Sequence, residues 1–190
     1  TGAVTTLAGY PGSTGSTDGT GTSARFNNPW GLTTDGSNIY VVDQSNHKIR
    51  KIVISTGAVT TLAGSGSVGS ADGTGTAATF NAPTGITTDG TNLYVADFEN
   101  HKIRKIVIAT GVVTTLAGSG SSGSSGGTGT SASFTNPYGV TIDGTNLYVA
   151  DANNYKIRKI ALRKTETADV ALHNLDNDLN VTVNVASSNT

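Results

Sequence analysis

One feature constrains this chain more than any other: it repeats itself every 54 residues. Three stretches align without a gap, FNNPWGLTTDGSNIYVVDQSNHKIRKIVI from Phe26, FNAPTGITTDGTNLYVADFENHKIRKIVI from Phe80 and FTNPYGVTIDGTNLYVADANNYKIRKIAL from Phe134. A second marker, T-G-x-V-T-T-L-A-G, begins at Thr1, Thr56 and Thr110. A period of this size means that each unit is one supersecondary element that buries its apolar surface against its neighbours. Each unit reads as four short strands. The first follows Pro29, Pro83 or Pro137 and runs to an Asp-Gly pair, which favours the positive φ of a hairpin turn. The second is Asn-Leu/Ile-Tyr-Val-x-Asp, the third His/Tyr-Lys-Ile-Arg-Lys-Ile and the fourth Val-Thr-Thr-Leu. Tyr, Val, Ile and Thr suit a half-buried pleated surface. Four-stranded units repeated at this interval predict an all-β fold of propeller blades.

Composition narrows the reading. Gly (25), Thr (31) and Ser (18) dominate the 190 residues, while charged residues make up 13 % and the net charge is -1. No segment carries a helical hydrophobic period, and the apolar runs are far shorter than the ~18 residues of a membrane span. The chain has no cysteine, so it can form neither a disulfide nor a thiolate zinc site. A near-neutral charge makes no case for nucleic acid as a partner. Richness in small polar residues points to an extracellular or cell-surface location, in a bacterium.

The pattern P-x-G-[LIV]-T-x-D-G-x-N-[LI]-Y-V-[VA]-D-x-x-N-[HY]-K-I-R-K-I resembles the NHL-repeat family, in its long-repeat bacterial form, over residues 1–162. The resemblance implies a β-propeller, commonly six-bladed, often with one blade completed by strands from both chain ends. Members of the family include extracellular sensors, protein-binding modules, RNA binders and an amidating lyase, so the resemblance speaks to fold more than function. The expected organisation is a strand at 1–9, blades at 26–63, 80–117 and 134–162 joined by Gly/Ser/Thr-rich connectors, and a tail from 163 to 190 with a strand near 179–185. Phe26, Phe80 and Phe134 are expected between adjacent blades, and Asp18 and Asp72 to shape the connectors by accepting N–H bonds. Gly126 replaces that Asp in the third copy.

Candidate chemistry is sparse. Asp43, Asp97 and Asp151 recur once per blade with an Asn three residues on. Turn capping explains them better than calcium, which needs 6–8 converging oxygens. His47 and His101 share one repeat position, occupied by Tyr155 in the third copy, and only Glu99 and Glu166 supply glutamate. No catalytic residue, metal site or cofactor is therefore assigned, and the chain is expected not to be an enzyme. The lysines and arginines of the third strands, among them Arg50, Arg104 and Arg158, are expected to snorkel along outer blade edges and to face the turn aspartates. The positions that differ between copies are more informative: Trp30, Thr84 and Tyr138 open the inner strands, and Gln44, Phe98, Glu99 and Asn153 lie in the turns between strands two and three. These form a candidate carbohydrate- or peptide-binding surface.

The final expectation concerns closure. A six-bladed ring needs roughly 324 residues at this repeat length. The third blade lacks its fourth strand, and residues 1–9 are a fourth strand without a blade. The chain is therefore expected to associate with itself head to tail, as a dimeric six-bladed ring or a filament. Thr1, Val4 and Leu7 would form one contact and Leu179, Val181, Val183 and Val185 a second. A competing possibility gives the fourth-strand position to Ala168–His173.

Overall fold

The computed structural model describes residues 2–162; the expected strand at 179–185 and its four contact residues, like Thr1, lie outside them. Three antiparallel sheets follow one another along the chain, each a blade. Blade 1 holds β1 (Gly19–Thr20), β2 (Pro29–Thr34), β3 (Asn38–Asp43), β4 (Lys48–Val53) and β5 (Ala58–Ala63), in the spatial order β1-β5-β4-β3-β2. Blade 2 repeats it with β6 (Gly73–Thr74), β7 (Ile86–Thr88), β8 (Asn92–Asp97), β9 (Lys102–Val107) and β10 (Val112–Ala117), in the order β6-β10-β9-β8-β7. Among the described residues blade 3 holds β11 (Pro137–Ile142), β12 (Asn146–Asp151) and β13 (Lys156–Ala161). The antiparallel four-strand reading of the repeat agrees with this arrangement in blades 1 and 2. The two-residue strands β1 and β6 were not foreseen; they arise because each connector doubles back onto the fourth strand of its own blade. Helical structure among the described residues consists of six single 3-10 turns, three of them just before Ala24, Ala78 and Ala132.

The Asp-Gly turns form for a local reason. Asp35 Oδ1 accepts the N–H groups of Ser37 and Asn38, its Oδ2 accepts the Tyr40 hydroxyl at 2.7 Å, and Gly36 takes φ 91°. Asp89 with Tyr94 and Asp143 with Tyr148 repeat the arrangement. The donors hold the Asp35 carboxyl well below the usual carboxylate range, led by the Asn38 side-chain amide.

Between blades the packing is apolar and close. Phe80 and Phe134 are fully buried, whereas Phe26, with no complete blade before it among the described residues, is only half-buried. The first strands β2, β7 and β11 pack side by side. A Cβ on Gly31 would run into the Thr84 carbonyl, and one on Gly85 would lie 2.5 Å from the Tyr138 carbonyl. Gly139, the third member of the series, meets nothing nearer than Ala150 Cβ at 3.7 Å.

Two expectations need correction. The arginines of the third strands do not lie along outer edges: the Arg50 and Arg104 side chains are completely buried. Arg50 donates to Asp43 and Asp18, at 2.7 and 2.6 Å, and to the carbonyls of Thr17 and Arg25, while its guanidinium lies 5.1 Å from the Phe26 ring. Arg104 does the same with Asp97, Asp72, Ala71, Thr79 and Phe80. The Gly/Ser/Thr-rich connector is thereby pinned to the blade. Asp18 does not shape its own loop either; it reaches across to accept the N–H and hydroxyl of Thr61 in β5. Burial works to raise the Asp18 pKa, but the Thr61 N–H and Arg50 outweigh it and hold it below the usual value.

The second correction concerns residues 1–9. No strand forms over 2–9 in the single chain, and Val4 is 96 % exposed, because a strand needs a hydrogen-bonded neighbour. The segment is nevertheless placed as a fourth strand would be. Gly9 donates its N–H to Gly21 O at 3.0 Å, as Gly64 at the end of β5 does to Gly75 O at 3.1 Å. Residues 1–9 and 56–64 are identical, TGAVTTLAG.

Candidate functional site

The residues singled out at the ends of the inner strands fall into two groups. Trp30 starts β2, Tyr138 starts β11, and Phe98 follows β8 in the 3-10 turn Phe98–Asn100. The fold brings these three together from three blades. Tyr138 sits between the others, edge-to-face with Trp30 at 6.0 Å and with Phe98 at 5.9 Å between ring centroids. Edge-to-face contacts of this kind hold aromatic rings in fixed orientation. Trp30 remains 49 % exposed and Tyr138 38 %, so this end of the inner strands presents fixed aromatic surface to solvent.

Thr84 is different. It occupies the same repeat position in blade 2 but is buried, and its hydroxyl donates to Tyr138 O at 2.8 Å. As a ligand-contact candidate it is corrected: it is a tie between inner strands, beneath the aromatic surface. Gln44 accepts from Asn28 Nδ2 at 2.6 Å, and Asn153 donates to Asn136 Oδ1 at 3.0 Å, so both turn residues are linked to the residue before the blade's first proline. Glu99 is exposed in the same turn as Phe98.

Asp43, Asp97 and Asp151 act as structural acceptors, not as a shared cluster. Asp97 accepts from Asn81 N, Asn100 Nδ2 and Arg104 Nη1, at 2.8 Å in each case. The aspartate and the arginine seven residues on recur as Asp43/Arg50, Asp97/Arg104 and Asp151/Arg158. That repeated spacing was the sequence signal for this pairing. His47 and His101 join blades: His47 Nδ1 accepts the N–H of Ala82 at 3.0 Å, and His101 Nδ1 that of Asn136 at 3.1 Å. A backbone N–H can only donate, so each imidazole carries its proton on Nε2. Sequence reasoning missed this role, because it joins residues 35 positions apart across a blade boundary. Among the described residues no three His, Asp or Glu side chains converge as metal ligands.

These blades have clear relatives. NHL repeat-containing protein 2 of Bos taurus is 35 % identical over 173 residues, which is 85 % of this chain and 23 % of the relative. The chain belongs to the NHL-repeat family. It spans less than a quarter of the length of the curated relatives it matches. No family model matches it. Among solved structures, a protein of unknown function from Bacteroides thetaiotaomicron superposes over 70 % of this chain and 34 % of its own, at 31 % identity and a TM-score of 0.64. A second, described as an auxiliary nutrient binding protein of Bacteroides ovatus, covers 75 % of this chain and 39 % of its own, at 26 % identity and a TM-score of 0.62.

Proposed function

We propose that this chain is a non-enzymatic, extracellular propeller scaffold that assembles head to tail, each copy contributing three blades to a closed ring or a filament. The observation that carries the reading is a mismatch at the two sides of the blade array. Gly9 at the end of residues 2–9 bonds to blade 1 as Gly64 at the end of β5 bonds to blade 2, and among the described residues this segment pairs with no other strand. Among the described residues blade 3 has three strands and nothing covers its outward face: Ile157 is 75 % exposed, while Ile49 and Ile103 at the same repeat position are fully buried. Tyr155 and Gly139 likewise face no further blade among the described residues. A second copy presents the missing surface, and such a heterologous contact closes into a ring or propagates. Native mass spectrometry of the intact chain and of a variant lacking residues 1–9 tests this. Assembly of the intact chain and its loss in the variant support the reading; a stable monomer at micromolar concentration, or normal assembly of the variant, refutes it.

A second reading is favoured by the exposed aromatic surface. Trp30, Tyr138 and Phe98 offer ring faces suited to stacking on a sugar or seating a peptide, and one structural neighbour is described as nutrient binding. Trp30→Ala and Tyr138→Ala would remove that surface. Glycan and peptide arrays showing binding by the wild type, and its loss in both variants, support it; arrays without a hit count against it.

A further inference from the structure

Blade 3 departs from the other two at one charged position. In blades 1 and 2 the buried arginine is held between two carboxylates, Asp43 and Asp18 around Arg50 and Asp97 and Asp72 around Arg104. In blade 3, Gly126 stands where Asp18 and Asp72 stand. Among the described residues, Arg158 pairs with Asp151 alone, spends Nη2 on the Ser125 carbonyl, and is 17 % exposed. Its free side borders a cavity of about 640 Å³ beside β13, where a fourth strand would lie. Among the described residues Arg158, Lys159 and Lys105 line this slot, and no acidic residue does.

The register of the complete blades shows what each position of the slot requires. Arg50 lies opposite Thr61 and Arg104 opposite Thr115. The turn before the fourth strand takes four residues, 54–57 and 108–111. Counting the same turn from Ala161 makes residues 166–171, Glu-Thr-Ala-Asp-Val-Ala, the sequence counterparts of Ala58–Ala63. In that correspondence Val170 and Ala171 match Leu62 and Ala63, and Asp169 matches Thr61, the residue opposite Arg50 in blade 1. The sequence thus offers a carboxylate at the repeat position that faces the arginine, in the one copy whose connector lacks its own.

We infer that the fourth-strand slot of blade 3 is a docking site for the chain's own residues 166–171, anchored by Asp169 on Arg158, and that residues 1–9 of another copy must displace them for head-to-tail assembly. The competition rests on the assembly proposed above; the pairing within the chain does not. Charge favours the chain's own segment, because a basic slot receives two acids, Glu166 and Asp169, while residues 1–9 carry no charged side chain. Packing favours the incoming strand. Thr167 would put a hydroxyl at the buried Val59 position, and Thr165 would stand where Gly57 and Gly111 adopt φ 70° and 69°. The segment is thus held by its ion pair and is otherwise a poorer fit than the strand that replaces it.

A double-substitution cycle tests the inference by amide hydrogen exchange, in the full chain carrying Gly139→Ala to block the head-to-tail contact. Residues 166–171 are protected in this chain. Asp169→Thr lowers their protection about tenfold, the loss of one charge-assisted contact. Gly126→Asp, which meets no atom within 4 Å, also lowers it by setting a second carboxylate beside Asp169. The pair together restores protection, because it recreates the Asp and Thr of blades 1 and 2. Unprotected amides at 166–171, or additive effects of the two substitutions, overturn the docking. In the otherwise unaltered chain, Asp169→Lys lowers the concentration needed for assembly about tenfold; an unchanged threshold overturns the competition. Native mass reads assembly and exchange reads strand pairing, so either reading can fail without the other.

Discussion

Two glycines at one repeat position provide a sharp test of how the blades meet. A methyl group added at Gly85 would lie 2.5 Å from the Tyr138 carbonyl, 2.9 Å from Val140 N and 3.0 Å from Gly139 Cα, where ordinary contact begins near 3.4 Å. Blades 2 and 3 would have to separate by most of an ångström at their inner strands. The Thr84 hydroxyl bond to Tyr138 O, 2.8 Å long, crosses that same joint and would stretch with it. Overpacking costs ~1–3 kcal/mol and a lost hydrogen bond ~1 kcal/mol, offset by ~0.5 kcal/mol from removing a glycine, so Gly85→Ala should destabilise the chain by about 2–3 kcal/mol. Gly139→Ala has the opposite sign in the single chain. Its nearest neighbour is Ala150 Cβ at 3.7 Å, so only the chain-entropy gain of ~0.5 kcal/mol remains. In a head-to-tail assembly, however, Gly139 takes the place of Gly31 and Gly85 against the next blade, and the methyl group blocks it. Urea unfolding compares the two stabilities, and sedimentation velocity follows assembly. The reasoning is refuted if Gly139→Ala assembles like the wild type, or if both substitutions cost the same stability.

Other consequences follow from the buried ion pairs, the strained backbone and the turn aspartates. Asp97→Ala leaves Arg104 buried with one partly exposed carboxylate and should cost about 3–5 kcal/mol, more than Asp151→Ala, whose partner Arg158 already reaches solvent; thermal unfolding of both variants checks the order. Ala82 holds φ 46° where Asn28 and Asn136 hold 58° and 52°, so Ala82→Asn should raise stability by ~0.5–1 kcal/mol, measured by urea unfolding. The carboxyls of Asp18, Asp35, Asp72, Asp89 and Asp143 are all held below the usual aspartate value. Depressed folded-state values mean that their contribution is fully present above about pH 4 and is lost as the pH falls through them. The melting temperature should therefore hold from neutral pH to about 4 and then drop, with a shallower drop in Asp35→Asn.

The blade pattern was legible because its determinants are local. Asp35, Gly36 and Asn38 close their turn within four residues, and the short apolar run from Ile39 to Val42 marks a buried strand wherever it stands. A repeat multiplies such signals: what is ambiguous in one copy is read three times at a spacing of 54. The arginines were misjudged for the converse reason. Lys-Ile-Arg-Lys-Ile reads as a charged strand facing outward, and although the seven-residue spacing from Asp43 pairs Arg50 with that carboxylate, it does not show that the pair is buried. Only when the connector folds back do Asp18, Thr17 and Arg25 arrive to surround it, from up to 33 positions away.

The candidate site divides in the same way. The copy-to-copy differences picked out Trp30, Tyr138 and Phe98, but not that the three rings touch or that Thr84 lies beneath them. Those relations depend on how far one blade is rotated from the next, which is set by contacts between sheets: Gly31 against Thr84, Gly85 against Tyr138, His47 against Ala82. Sequence alone determined what each blade is, because hydrogen-bonded turns and strand alternation act over a few residues. Tertiary structure decided how the blades meet and which residues each joint buries, because those outcomes depend on close packing between residues about one repeat apart.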